Sequence, residues 1–277
     1  MGMRISTNVA SINAQRVMNT NSKEMQKSMA QLSTGSRITK AGDDAAGLAI
    51  SEGLKSTIRS FGQASRNAND GISMLQTAEQ SMGEVSNLVT RLRELGVQAA
   101  SDSIGDKERG FIQKEVDALK SEIQRVAEST SFGDRKLLNG SGGVYDIHVG
   151  TGANEATDWI SYDSSQTDVT VAKLGINDID FSSKEGARAG LTALDSAQST
   201  VNGSRANLGA LQNRLSSTVD VLGTMSENLS AANSRIRDTD VAQSTSDLAR
   251  NNILLQGTSA TLVQANQMPS MALKLIG

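Results

Sequence analysis

The sequence predicts a mainly α protein: an elongated antiparallel helical bundle or coiled coil, with a small β-hairpin insertion and paired N- and C-terminal helices. Three observations carry this. Small or apolar residues recur in steps of three and four at Leu75, Ala78, Met82, Val85, Val89, Leu92, Gly96 and Ala99, the spacing of one narrow seam on a long helix. Matching seams occur at Ile112, Val116, Leu119, Ile123 and Val126, and at Leu208, Leu211, Leu215, Thr218, Leu222, Met225, Leu229, Ala232 and Ile236. The single proline, Pro269, leaves the chain before it free of the strongest helix breaker. No helix covers its own seam, so three such helices bury them together. The stretch from Leu75 to Ala99 alone makes a rod of roughly 37 Å.

Composition agrees. The 277 residues include no Cys, one His, four Phe, one Trp and two Tyr, too few rings for a compact enzyme core but suited to thin rods packed through small contacts. Lack of Cys removes disulfide and thiolate-metal chemistry. A net charge of −3 gives no electrostatic case for nucleic acid. No run of about 18 apolar residues exists to span a membrane. The opening Met1-Gly2-Met3-Arg4-Ile5-Ser6-Thr7-Asn8 has no apolar core of a cleavable secretion signal. Met1-Gly2 ahead of Ser6 and Thr7 is weak evidence for lipidation and is discounted.

Taken in order, residues 5–33 carry a weaker heptad, Ile5, Val9 and Ile12 followed by Met18, Met25, Met29 and Leu32. The C-terminal end mirrors it. Val241, Leu248, Leu255 and Leu262 fall seven apart, with Leu254, Thr261, Met268 and Leu275 as a second row. Each end is an amphipathic helix with too little apolar area to stand alone. Either the two pair with each other, or both stay disordered until neighbouring subunits cover them. The flexible row Met18, Met25 and Met29 suits a contact between subunits. Gly35 and Gly42 punctuate the chain, and Asp43-Asp44 read as a helix cap rather than a paired-carboxylate site.

Ser101 to Gly105 form a turn, Asp106 reads as a cap, and Ile112 to Val126 run back antiparallel. Ser131 to Gly143 read as a loop. Tyr145, Ile147 and Val149 then alternate with Asp146 and His148, the period of a strand. Trp159–Tyr162 and Val169–Val171 are further strand candidates, followed by an irregular return over Gly175 to Glu185. The return helix begins at Ala187 and packs beside Leu75–Ala99. Arg237-Asp238-Thr239-Asp240 mark a joint, the last helix starts at about Val241, and Pro269 bends or interrupts its final turns. The resulting divisions are residues 1–42, 43–140, 141–186, 187–236 and 237–277.

Chemistry-bearing motifs are lacking. His148 has no partner ligands at metal spacing, no phosphate-binding glycine loop follows a strand, and no nucleophile elbow occurs. The expectation is no enzyme, no metal and no cofactor.

The run "LSTGSRITKAGDDAAGLAIS" at residues 32–51 resembles the N-terminal signature of bacterial flagellin, the subunit of the flagellar filament. The likeness continues through Asn67–Ser73, Arg91–Gln98, Ile236–Asp240 and Gln264–Gln267, covering about residues 4–140 and 190–277 in family order. It implies a structural subunit, exported through the flagellar type III apparatus with a chaperone and without a cleaved signal. Such a subunit polymerises beneath a filament cap onto hook-junction proteins into an extracellular motility propeller, alone or with paralogous flagellins. Terminal helices then form an inner tube around a channel, packed through Ile5, Val9, Ile12, Met18, Met25, Met29, Leu32, Val241, Leu248, Leu255 and Leu262. The resemblance also implies possible detection by the vertebrate Toll-like receptor for flagellin through Arg91, Arg93, Glu94, Leu95, Gln98 and Glu115. The bland reading of these residues is a charged border on a seam. Met1–Met3 precede the usual start, and the middle is too short for a full outer domain. Two rivals are a hook–filament junction protein, which shares the terminal helices, and a signalling coiled-coil hairpin, which lacks a β insertion.

Overall fold

The computed structural model describes the backbone of residues 7–276 and the side chains of residues 7–268. In chain order it contains α1 (Val9–Thr34), α2 (Ala45–Ala99), α3 (Asp106–Ser129), β1 (Ser131–Phe132), β2 (Arg135–Lys136), β3 (Val144–His148), the single turn α4 (Glu155–Asp158), β4 (Trp159–Asp163), α5 (Lys184–Arg237) and α6 (Val241–Ile276). The chain divides into two compact units, one spanning Thr57–Glu227 and the other made of the chain up to Ser56 and from Asn228 onward. The division falls inside α2 and α5, whereas the sequence suggests breaks at the joints between helices.

In the central unit every member of the Leu75–Ala99 seam is buried, and the stripe extends upstream through Ala64, Ala68 and Gly71. Ile112, Val116 and Ile123 of α3 are buried against it, with Leu119 and Val126 half-buried. Leu208, Leu215 and Leu222 complete the core from α5, while Met225 is exposed. Helices α2 and α5 run antiparallel. Arg205 pairs with Glu79 at 2.8 Å, Gln198 donates to Ser86 at 2.8 Å, and Arg93 pairs with Asp195 at 2.7 Å. The α2–α3 corner is closed by the buried Arg109. Its guanidinium donates to the Ala99 and Ser101 carbonyls, both at 2.9 Å, and to Asp106 at 2.7 Å. The Ala99 carbonyl belongs to the end of α2, where helix geometry leaves it without a partner, and the Ser101 carbonyl lies in the turn that follows.

Asp106 therefore does not cap α3 as its position suggested. Asp106 is already the first residue of the helix, Gly105 at the cap has no side chain to offer, and the Asp106 carboxylate is taken by Arg109. Of the Asp43-Asp44 pair, Asp44 caps α2 and Asp43 closes the loop before it. Asp44 accepts from the Gly47 N–H at 2.8 Å, and Asp43 accepts from Thr39 and Lys40. The backbone N–H of Lys40, followed by Thr39, holds the Asp43 carboxyl below its ordinary value.

β3 and β4 form an antiparallel hairpin with Tyr145 opposite Tyr162 and Ile147 opposite Ile160, all four buried on one face. The hairpin seats on α2 at Gly71, where an added Cβ would lie 2.6 Å from Ile147 Cδ1, and Asn67 donates to the His148 carbonyl at 3.0 Å. Val169 and Val171 are buried, but Val169–Val171 are not a strand. Their N–H groups go to the Leu138 carbonyl and to the Gln124 side chain instead, so the alternation there reports burial without pairing. The Ser131–Gly143 loop contains a small ladder, β1 with β2, folded at Gly133 with φ +59°. A ladder of this length leaves no periodic signal.

In the other unit α1 and α6 pair antiparallel. Asn8 donates to the Ala265 carbonyl at 2.7 Å, Ser11 to Asn266 at 2.7 Å, and a single bridge joins Ser36 to Asp238. Gly35, with φ +67°, ends α1 in the left-handed region that favours glycine. Asp240 accepts from the Ala242 N–H at 2.9 Å and opens α6. The expected interruption at Pro269 does not occur, since α6 continues to Ile276. A proline removes one backbone bond, which a helix formed on both sides can lose.

The Tyr162 hydroxyl donates to the Leu137 carbonyl at 2.7 Å and lies 2.6 Å from Thr167 Oγ1. Burial raises its pKa from 10.0 to about 12. The fold thus favours the neutral phenol, giving stability that is complete below pH 10.0 and lost as pH rises towards about 12. Denaturant unfolding across this range is expected to show that decline in the native chain and to lose most of it in Tyr162→Phe.

Candidate assembly surface

The terminal helices hold the residues to which the sequence points, and the structure sorts them into two groups. Met18 and Leu255 face each other across a groove lined also by Asn19, Ser22, Gln256 and Ser259. Met25, Leu32, Leu248 and Leu262 are half-buried. In contrast, Val9 is 67% exposed, Ile12 58%, Met29 55% and Val241 62%. Ile5 and the Leu275 side chain lie outside the described residues. One group therefore makes the intrachain pair, and the other faces outward.

More exposed apolar residues occur than the heptad count suggested. Val17, Ile253 and Val263 stand on the surface with Leu254 and Met268, Ile253 being 69% exposed. The heptad count followed stripes seven residues apart, which include Leu254 and Met268, and passed over Val17, Ile253 and Val263. Apolar side chains around α6 fall on more than one face, and a helix apolar on several faces is ordinarily a buried one. Ser28, Ser244 and Ala265 are the buried positions of this pair among the described residues. Small side chains thus set the close approach, and the large ones are half-buried or exposed. The joint beneath the pair is polar: Arg37 N–H donates to the Arg237 carbonyl at 2.6 Å, Thr239 N–H to Gly35 at 3.0 Å, Ser51 to Asn233 at 2.8 Å, and Arg237 pairs with Glu52.

The second group of sequence candidates sits on the central unit. Arg91 donates to Glu115 at 2.8 and 3.0 Å and to Glu94 at 3.0 Å, tying α2 to α3 across an exposed surface. Its bonds to Glu115 and then Glu94 hold the guanidinium pKa above its ordinary value. Gln98 is exposed beside this cluster. Arg93 points elsewhere, to Asp195 on α5. Leu95 is only 2% exposed, a member of the core. Any partner at this level meets the charged border, while Leu95 supports it from beneath.

His148 Nε2 lies 3.0 Å from the Gly152 carbonyl, and its ring tilts against Trp159. Among the described residues no group of three or more His, Cys, Asp or Glu is placed to share a metal ion, and no helix is long and apolar enough to cross a membrane.

Comparison with known proteins agrees with this geometry. The family model described as the bacterial flagellin N-terminal helical region matches residues 5–142, and that of the bacterial flagellin C-terminal helical region matches residues 191–276. The chain is 40% identical over 274 residues to a flagellin of Halalkalibacterium halodurans, covering 99% of this chain and 100% of that one. It is 38% identical over 288 residues to the flagellar filament 33 kDa core protein of Treponema phagedenis, with 99% and 100% covered. The crystal structure of Bacillus cereus flagellin superposes with a TM-score of 0.51 at 26% identity, covering 61% of this chain and 94% of that one. A putative flagellar hook-associated protein from Vibrio parahaemolyticus gives a TM-score of 0.57 at 16% identity, covering 71% and 100%. The latter likeness is one of fold alone.

The contrast between Leu95 and Arg91 is directly measurable. Leu95→Ala is expected to cost about 2–5 kcal/mol in denaturant unfolding. Arg91→Ala should leave the midpoint almost unmoved, because its partners are exposed to solvent. The reverse order would mean that the charges, and not the seam, hold α3 to α2.

Proposed function

We propose a route of assembly from one premise: the chain belongs to the bacterial flagellin family and is a structural subunit of the flagellar filament, an extracellular self-assembled polymer. On this reading the outward apolar residues of α1 and α6 are completed by other copies. Val9, Ile12, Met29 and Val241, with Val17, Ile253 and Val263, pack against neighbouring terminal helices as an inner tube around a channel. Met18, Met25, Leu32, Leu248, Leu255 and Leu262 hold the two helices of one subunit together. The observation that carries this is the exposure of so many large apolar side chains on one helix pair, a surface expected at an interface. The contact joins different patches on successive copies, so it does not close and yields a filament in place of a ring.

The terminal helices gain order as neighbours cover them, since a helix pair with this little buried area is marginal in water. The bundle and hairpin set subunit spacing along the axis and permit the two strand states of a supercoil. Family membership supports the remaining partners: a flagellar chaperone and type III export apparatus with no cleaved signal, a filament cap, hook-junction proteins and paralogous flagellins. It equally supports a structural role without catalysis. The charged border of Arg91, Glu94, Gln98 and Glu115, with Arg93 nearby, is the surface open to the Toll-like receptor for flagellin, and Leu95 would contribute only by shaping it. The divisions 1–42 and 237–277 then act as the filament core, 43–140 and 187–236 as the bundle, and 141–186 as a short outer insertion.

Seeded polymerisation of Ile12→Asp and Ile253→Asp chains tests the interface. Both positions face solvent in the single chain, so the monomers should keep the circular dichroism and unfolding profile of the native protein. They should nevertheless fail to extend filament seeds, whereas the native chain extends them and gains helicity. Normal extension by both variants would remove these residues from the interface. Full helicity in a dilute native monomer would remove the ordering step.

A further inference from the structure

Two Asn-Gly pairs occur in the chain, Asn139-Gly140 and Asn202-Gly203, and the fold treats them in opposite ways. Asn-Gly is the dipeptide most open to spontaneous cyclisation, because glycine places no side chain beside its attacking nitrogen. Gly203 lies inside α5, where its N–H belongs to the helical ladder and the backbone cannot fold back on the Asn202 side chain. Gly140 lies in the loop between β2 and β3 with φ +70°, and among the described residues its N–H donates to no acceptor. The Asn139 side-chain oxygen accepts from the Ser141 N–H at 3.1 Å and from the Ser141 hydroxyl at 2.8 Å. This turn folds the side-chain carbonyl back towards the following peptide. Its two donors are also placed to stabilise negative charge on that oxygen when the carbonyl is attacked, as an oxyanion hole does.

We propose that Asn139 is a site of self-catalysed deamidation in the folded subunit, with water as the only co-reactant. The Gly140 nitrogen gives up its proton to solvent and bonds to Asn139 Cγ. The Cγ–Nδ2 bond breaks, and the departing nitrogen takes a proton to leave as ammonia. Water then opens the cyclic imide at either carbonyl, giving aspartate or isoaspartate at position 139. Each event adds a negative charge to a loop in which the Asp168 carboxylate already lies against Gly140; a Cβ there would meet Asp168 Oδ2 at 2.8 Å.

The test ages the full native chain in warm, mildly alkaline buffer and follows both asparagines by peptide mapping, with separation of aspartate from isoaspartate products. A parallel sample in strong denaturant gives the rates for the unfolded chain. In the folded protein Asn139 is expected to convert about tenfold faster than Asn202, or more, because attack at Asn202 first requires local opening of a long helix. In denaturant the two rates should converge. Equal folded rates at the two positions would overturn the proposal, as would an Asn139 that converts only in denaturant. Ser141→Ala removes the hydroxyl donor and keeps the backbone donor. It should slow Asn139 in the folded chain and leave its denatured rate alone, and an unchanged folded rate would overturn the role given to the donors.

Discussion

The central unit depends on the closeness with which other elements approach α2. Its seam alternates Ala and Gly with Leu, Met and Val, so α3 and α5 lie against a surface of shallow relief. Gly96 illustrates the point: a Cβ there would sit 2.9 Å from the Phe181 ring and 3.0 Å from Leu191. The return segment brings Phe181, the one fully buried Phe among the described residues, into the space that glycine leaves. Gly190 on α5 faces the same ring, with a Cβ contact of 2.6 Å. A ring held between two glycines and a hairpin seated on Gly71 are the same solution used twice. Few aromatics are needed when the helices leave room for them.

What the sequence made legible follows from this. Seams with a/d spacing were readable because most members meet partner helices, Met225 being an exposed exception, and periodicity averages over many such contacts. The joint at Arg237–Asp240 and the caps at Asp44 and Gly35 were readable because caps are local chemistry. Features decided by a distant partner were not. Asp106 looks like a cap until Arg109 claims its carboxylate, and Val169–Val171 look like a strand until their N–H groups find Leu138 and Gln124. Among the site residues, Leu95 reads as one of a charged run and is in fact part of the seam. Ile253 and Val263 escaped notice because counting by sevens followed two rows of a helix that is apolar beyond them.

The two units use apolar area in opposite ways. In the central unit large side chains lie inside and charges such as Arg205–Glu79 border them. In the terminal pair only the small residues Ser28, Ser244 and Ala265 are fully inside, among the described residues, and the large ones are half-buried or exposed. An arrangement of this kind stores hydrophobic free energy for association, since burial is favourable whichever chain supplies the cover. Methionines on α1 add tolerance, as an unbranched thioether accepts more than one packing.

Arg109 gives the corner of α2 and α3 a property that a carboxylate or histidine cap would not. A guanidinium stays protonated throughout the range of acidity in which proteins fold. Its bonds to the Ala99 and Ser101 carbonyls therefore need no titratable acceptor. A polymer outside the cell meets surroundings of varied acidity, and the two carbonyl bonds of this corner, unlike the bond to the Asp106 carboxylate, do not depend on it.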